Sequence, residues 1–179
     1  MAEPKRVVKT LCILLIFACC LPLAACGHSG PNPVSCPYPL RQLAMSDDKT
    51  GWGLSLANEV LYTDNGIEDF ETVRGPLPAD TSSNRFASAA FVNARTAYTA
   101  YFSSADNQII VEHTSDSGAS WQQTRIDFAD YADISDAGQL FLGFSDEAHG
   151  YLLCCSTPAC GQMSKLLFRT DDAGETFSY

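Results

Sequence analysis

The feature that most constrains this chain is an internal repeat. Three segments resemble one another: Ala44-Met45-Ser46-Asp47-Asp48-Lys49-Thr50-Gly51-Trp52, Ala90-Phe91-Val92-Asn93-Ala94-Arg95-Thr96-Ala97-Tyr98 and Gly143-Phe144-Ser145-Asp146-Glu147-Ala148-His149-Gly150-Tyr151. Each holds an apolar residue, an Asp or Asn, a polar turn, then a small residue and a large aromatic. That order reads as a strand end, a tight turn and the next strand. A second element follows each copy. Thr114-Ser115-Asp116-Ser117-Gly118-Ala119-Ser120-Trp121 and Thr170-Asp171-Asp172-Ala173-Gly174-Glu175-Thr176-Phe177 are the clear examples. Tyr62-Thr63-Asp64-Asn65-Gly66-Ile67-Glu68-Asp69-Phe70 reads as a degenerate copy with one extra residue before its aromatic. Its Asp64 lies 52 residues before Asp116, which lies 56 before Asp172. A period of this size, built of strands, points to stacked β-units such as propeller blades.

The intervening sequence alternates as strands do. Gln108–Thr114 and Lys165–Thr170 run into the second and third elements, and Tyr151–Cys155 is apolar on both faces, as a strand between two sheets would be. No amphipathic helix is evident after the N-terminal segment. Thr81–Asn84 and Asp130–Asp133 read as connections between repeats. The expected fold is therefore all-β, a partial propeller of about three antiparallel blades over residues 41–179.

The pattern Ser/Thr-x-Asp-x-Gly-x-Ser/Thr-Trp/Phe resembles the Asp-box (BNR repeat) of sialidase-type and related bacterial β-propellers. The resemblance spans roughly Leu43 to Tyr179 and implies a structural role for Asp64, Gly66, Phe70, Ser115, Asp116, Gly118, Trp121, Asp172, Gly174 and Phe177. In such a hairpin the Asp carboxylate accepts backbone N–H groups two or three residues on. The Gly supplies positive φ, and the aromatic packs beneath the turn. Propellers close with four to eight blades, whereas about three are present here. The expectation is that the chain is a piece of a longer protein, or that copies associate through open blade edges. Trp52, Tyr98 and Tyr151 recur at one repeat position and are expected between blades rather than in a ligand-stacking ring.

The N-terminus carries a separate message. Lys5, Arg6 and Lys9 precede the apolar run Leu11–Leu21, then Pro22 and Leu23-Ala24-Ala25-Cys26. A positive n-region, an apolar h-region and small residues before a cut site describe an export signal. The run is short for a span, which takes roughly 20 apolar residues. Leu-Ala-Ala-Cys resembles the lipobox of bacterial lipoproteins. That resemblance implies cleavage after residue 25, acylation of Cys26, and anchoring at the outer face of a bacterial membrane. Residues 26–40, opening Gly27-His28-Ser29-Gly30-Pro31-Asn32-Pro33, read as a tether.

Removing residues 1–25 from the 179 leaves 154, with eight basic and 20 acidic residues, a net charge of −12. Such a surface argues against nucleic acid and against electrostatic docking on anionic lipid. The cysteines left besides Cys26 are Cys36, Cys154, Cys155 and Cys160. In an exported protein a disulfide is the first expectation. Cys160 with Cys154 or Cys155, and Cys36 with one of these, are both open, as are reduced thiols.

Catalytic sets are missing. Sialidases, which resemble the chain through the Asp-box, use three arginines, a Tyr nucleophile paired with Glu, an acid Asp and a Phe/Tyr-Arg-Ile-Pro segment. That segment is absent, and Arg95 and Arg169 sit in a turn and a strand rather than at the family's ligand positions. No pair of carboxylates with glycosidase spacing can be placed, and there is no G-x-S-x-G elbow or Gly-rich phosphate loop. His28, His113 and His149 read as surface residues. Asp47-Asp48 and Asp171-Asp172 lack the D-x-D-x-D-G pattern of a calcium loop. Neither a metal nor a cofactor is expected. What remains is a membrane-tethered binding or assembly domain for a protein or an envelope glycan. The alternative is a fragment of an exo-sialidase or related glycoside hydrolase.

Overall fold

The computed structural model describes residues 38–78, 87–127 and 137–179. Cys26, Cys36, His28, the signal and tether before residue 38, and the connections proposed at 81–84 and 130–133 lie outside the described residues. Every described element is a β-strand.

The strands form three antiparallel sheets in strict sequence order, which we call blades 1 to 3. Blade 1 is β1 (Leu40–Met45), β2 (Gly51–Ser55), β3 (Val60–Thr63) and β4 (Glu71–Arg74). Blade 2 is β5 (Ser88–Phe91), β6 (Ala97–Ser103), β7 (Gln108–Thr114) and β8 (Gln122–Asp127). Blade 3 is β9 (Ala137–Phe144), β10 (Gly150–Ser156) and β11 (Lys165–Thr170). An isolated bridge between Arg169 and Ser178 marks where a fourth strand would begin. The fold is all-β, with antiparallel propeller-type blades.

Period-2 alternation explains why the blades stack. Along β6 and β7, Tyr98, Ala100, Ile109 and Val111 belong to the core shared with blade 3, while Ala97, Tyr101 and Ile110 belong to the core shared with blade 1. Blade 3 answers with Leu140, Leu142, Leu152, Cys154, Leu166 and Phe168. Blade 1 answers with Trp52, Leu54 and Val60. A central strand buried on both faces cannot alternate apolar with polar, and β6 indeed reads Ala-Tyr-Thr-Ala-Tyr.

Two polar devices bolt the blades together. Trp52 Nε1 donates to the Asn93 carbonyl of the β5–β6 turn at 2.7 Å, and the Tyr98 hydroxyl donates to the Glu147 carbonyl of the β9–β10 turn at 2.8 Å. Trp52 and Tyr98 are thus inter-blade residues, 0% and 1% exposed, whereas Tyr151 at the third copy is 48% exposed. Between blades 1 and 2, Arg74 grips Glu112 with two hydrogen bonds, Nε to Oε2 at 2.9 Å and Nη2 to Oε1 at 2.7 Å. The Tyr101 hydroxyl adds a third at 3.1 Å. Glu112 is only 3% exposed, so these partners offset the cost of burying its carboxyl group.

Cys154, Cys155 and Cys160 are free thiols. The pairing of Cys160 with Cys154 or Cys155 is not formed. Cys154 points into the core shared with blade 2, and Cys160 lies exposed in the loop after β10. Burial, then the neighbouring Cys155, pushes the Cys154 thiol up to about 12, which makes it unreactive at neutral pH.

The Arg74–Glu112 contact yields a prediction. Arg74→Ala leaves the buried Glu112 with the Tyr101 and Gln123 donors but no counter-charge, and should destabilise the fold by roughly 2–4 kcal/mol in urea denaturation. The double variant Arg74→Ala/Glu112→Leu should recover most of that loss. An equal loss in the double variant would show that packing, not charge, sets the cost.

Candidate binding groove

Two turns recur in every blade. The first joins strands one and two. Asp47 Oδ1 accepts the amides of Lys49 and Thr50 at 2.8 and 2.7 Å. Asn93 Oδ1 accepts those of Arg95 and Thr96 at 2.8 and 2.9 Å. Asp146 Oδ1 accepts those of Ala148 and His149 at 2.8 and 2.9 Å. These amides hold the Asp47 and Asp146 carboxyls below the ordinary carboxylate range.

The second turn follows the third strand of each blade and, in blades 1 and 2, joins it to the fourth. In blade 2, Asp116 accepts the Ser120 hydroxyl at 2.6 Å, the Ser120 amide at 2.9 Å and the Thr114 hydroxyl at 2.7 Å. In blade 3, Asp172 accepts the Thr176 hydroxyl, the Thr176 amide and the Thr170 hydroxyl at 2.6, 2.9 and 2.8 Å. Gly118 and Gly174 sit at φ 88° and 80° and donate to the same Thr hydroxyls at 3.0 and 2.9 Å. A Cβ on Gly118 would lie 2.6 Å from Val73 of blade 1, so the position needs glycine for packing as well as for φ. The hydroxyl that anchors the loop is Thr114. Ser115 is exposed and stands outside this network.

The degenerate copy aligns differently from its sequence reading. Thr63 ends β3 as Thr114 ends β7, and Gly66 N donates to Lys49 O at 2.7 Å as Ser117 N donates to Arg95 O at 3.0 Å. Asn65, not Asp64, therefore stands at the place of Asp116, and Gly66 at the place of Ser117. With Thr63 as origin, Phe70 falls seven residues on, as do Trp121 from Thr114 and Phe177 from Thr170. No extra residue is inserted. The hydroxyl that starts the loop, not the acidic side chain, sets the register of the repeat.

These second turns also join blades. Trp121 Nε1 donates to Val73 O of blade 1 at 3.3 Å, and the Thr124 hydroxyl donates to Gly174 O of blade 3 at 2.6 Å. The Asp116 and Asp172 carboxylates are committed to their own loops.

The opposite side of the sheet order offers a different surface. The first strands, β1, β5 and β9, are tied across blades. Arg41 donates through Nη2 to the Ala87 carbonyl, Gln42 Nε2 to Ala89 O at 3.3 Å, and Leu142 N to Ser88 Oγ at 3.0 Å. They border an open groove of about 260 Å³ lined by Arg41, Gln42, Ser88, Gln139, Phe141 and neighbouring apolar residues. The lining residues carry a guanidinium, two amides and a hydroxyl beside the exposed ring of Phe141, and none is a carboxylate. Burial lowers the Arg41 pKa from its very high ordinary value, and the group stays charged at neutral pH. Such a set suits peptide backbone, amides or carboxylates. Nothing in the sequence marks these residues, because they fall on short first strands outside either turn signature. Among the described residues no cluster of His, Cys, Asp and Glu could hold a metal ion.

Sheet order, stacked cores and repeated turns together define a protein of propeller-type blades. No family model matches the chain, and no curated protein matches it. Among solved structures it is similar to YCF48 bound to D1 peptide, with a TM-score of 0.51 and 18% sequence identity. The match covers 81% of this chain and 41% of that one, so the chain spans under half the length of that structure.

The turn geometry predicts an acid limb of stability. Asp116 and Asp172 are held down at about 2, from an ordinary value of 3.8, chiefly by the hydroxyls and amides of Ser120 and Thr176. A carboxyl lowered in the fold contributes stability above its unfolded value and loses it as pH falls through the folded value. The thermal midpoint should therefore drop between pH 4 and pH 2. Asp116→Asn/Asp172→Asn should flatten that drop, and an unchanged slope in calorimetry would count against the assignment.

Proposed function

We propose that the chain is the precursor of an exported bacterial lipoprotein whose Asp-box blades, held at the outer face of a membrane by lipid on Cys26, form a binding or assembly scaffold for a protein partner. The observation that carries the binding reading is the groove along the first strands. Arg41, Gln42 and Gln139 line an open concavity, while the Asp116 and Asp172 carboxylates are bound within their own loops. The likeness to a structure holding a bound peptide supports a protein ligand over an envelope glycan. The role is non-catalytic on this reading. A glycosidase fragment would need carboxylates opposed across the groove, and its described lining offers none.

The anchor reading rests on Leu23-Ala24-Ala25-Cys26 and the basic and apolar segments before it. Two or more acyl chains would hold the protein firmly, since each buried CH₂ contributes about 0.8 kcal/mol and one chain alone is marginal.

Both halves can be measured in cells. Cys26→Ser should abolish labelling by radioactive palmitate and move the protein from the membrane to the soluble fraction. Labelled, membrane-bound protein after that change would refute the anchor. In-cell cross-linking followed by mass spectrometry should find a protein partner that is lost in Arg41→Glu. Retention on purified cell-wall glycan, equally lost in Arg41→Glu, would transfer the groove to the glycan.

A further inference from the structure

The blades have two ends of opposite character. First strands run toward the first turn and third strands toward the second, so both kinds of turn lie at one end. There Gly66 N donates to Lys49 O, Ser117 N to Arg95 O and Ala173 N to Ala148 O. At the other end lie the connections β2–β3, β6–β7 and β10–β11, residues 56–59, 104–107 and 157–164. The chain enters blade 1 at this second end, where Leu56 N donates to Pro39 O at 2.8 Å.

Charge divides between the ends. The turn segments 46–50, 64–70, 92–96, 115–121, 145–149 and 171–177 hold eleven carboxylates against Lys49 and Arg95. Turn hydrogen bonds hold the carboxyls of Asp47, Asp116, Asp146 and Asp172 below the ordinary carboxylate range, so this charge persists in mild acid. The three connections at the other end carry only Glu59 and Asp106. The links 79–86 and 128–136, outside the described residues, add four aspartates and Arg85 in sequence, which leaves the contrast in place. The connection end instead presents two large apolar side chains, Leu56 at 62% and Met163 at 40% exposure.

We propose that this connection end rests on the lipid surface, with Leu56 and Met163 in the headgroup layer and the acidic turn end directed away. The orientation rests on the Cys26 anchor proposed above. Thirteen residues of sequence lead from Cys26 to Pro39, and a chain of that length spans at most about 45 Å. The anchor therefore keeps Leu56, bonded to Pro39, close to the bilayer at all times. Tethering turns a weak second contact into an intramolecular one, so two apolar tips suffice where they could not recruit a free protein. An anionic surface repels carboxylates that come within a Debye length, about 8 Å at physiological salt, and so disfavours the inverted orientation. Arg41, Gln42, Ser88 and Gln139 all lie in the halves of their strands nearer the connection end. The groove thus meets its partner close to the bilayer.

The test uses the full lipid-anchored chain in phosphatidylcholine–phosphatidylglycerol vesicles whose headgroups carry nitroxide. An environment-sensitive fluorophore is attached at Leu56→Cys, Met163→Cys, Asp48→Cys or Ser115→Cys. The background is Cys36→Ser/Cys160→Ser, which leaves the buried Cys154 and Cys155 as the described thiols. Quenching should be roughly threefold stronger at 56 and 163 than at 48 and 115, because an interfacial side chain sits ~5–10 Å into the headgroup boundary. Leu56→Asp/Met163→Asp, labelled at Ser115→Cys, should show more quenching at 115 than the parent, which separates the side chains' effect from the label's. Unchanged quenching there overturns the role of Leu56 and Met163. Equal quenching at both ends, in protein that floats with the vesicles, overturns the orientation and leaves the anchor standing. Protein that fails to float overturns the anchor and the orientation together.

Discussion

The structure depends on a single repeated contact. In blades 1 and 2 an aromatic at the second position of the second strand lies in the inter-blade core and spends its one polar hydrogen on the next blade's first turn. The ring contributes apolar burial worth a few kcal/mol. The donor fixes the register of one sheet against the next, because a buried N–H or O–H without a partner would cost a further ~1–3 kcal/mol. Burial, with Glu147 and Asp146 close by, pushes the Tyr98 hydroxyl up to about 12, so it remains a donor across any physiological pH. The turn it meets is itself rigid, since Asp146 Oδ1 ties down the amides of Ala148 and His149. Side-chain chemistry in one blade is thereby matched to backbone shape in the next.

The second turn obeys the same logic from the outer side. Asp116 and Asp172 saturate their oxygens with hydroxyls and amides of their own loops, which frees the loop surface to pack. Gly118 lies close enough to Val73, and Gly174 to Tyr98, that each turn rests on the preceding blade. Where the first blade has Asn65 in place of the acid, Thr63 donates to Gly66 O at 2.7 Å and accepts the Asn65 amide at 3.1 Å. The loop survives without its carboxylate because the threonine hydroxyl starts it.

The strand content and the turns were legible from sequence because both obey local rules. Alternation with period 2 marks β7 and β11, a continuous apolar run marks β10, and Asp or Asn before a small residue marks the first turns at Asp47, Asn93 and Asp146. Residue type points to Ser115 and Asp64, whereas the hydrogen bonds select Thr114 and Asn65 by their distance from the strand end. The groove was not legible at all. Arg41, Gln42, Ser88 and Gln139 come from three strands far apart in the chain, and only the stacking of blades brings them to one border.

The division of labour between the two ends of each sheet bears on what the molecule can evolve to do. Polar groups at the turns are locked into the fold, so substitutions there change stability before they change recognition. The first strands carry polar side chains that reach across blades with one atom and line open space with the rest, as Gln42 does while donating to Ala89 O. In the proposed binding role such residues can change specificity at small structural cost, because the blade cores beneath them are apolar and already filled by Leu54, Ala100 and Leu152. Recognition placed on the rim of a stack held by backbone-directed contacts can vary residue by residue while the stack keeps its register.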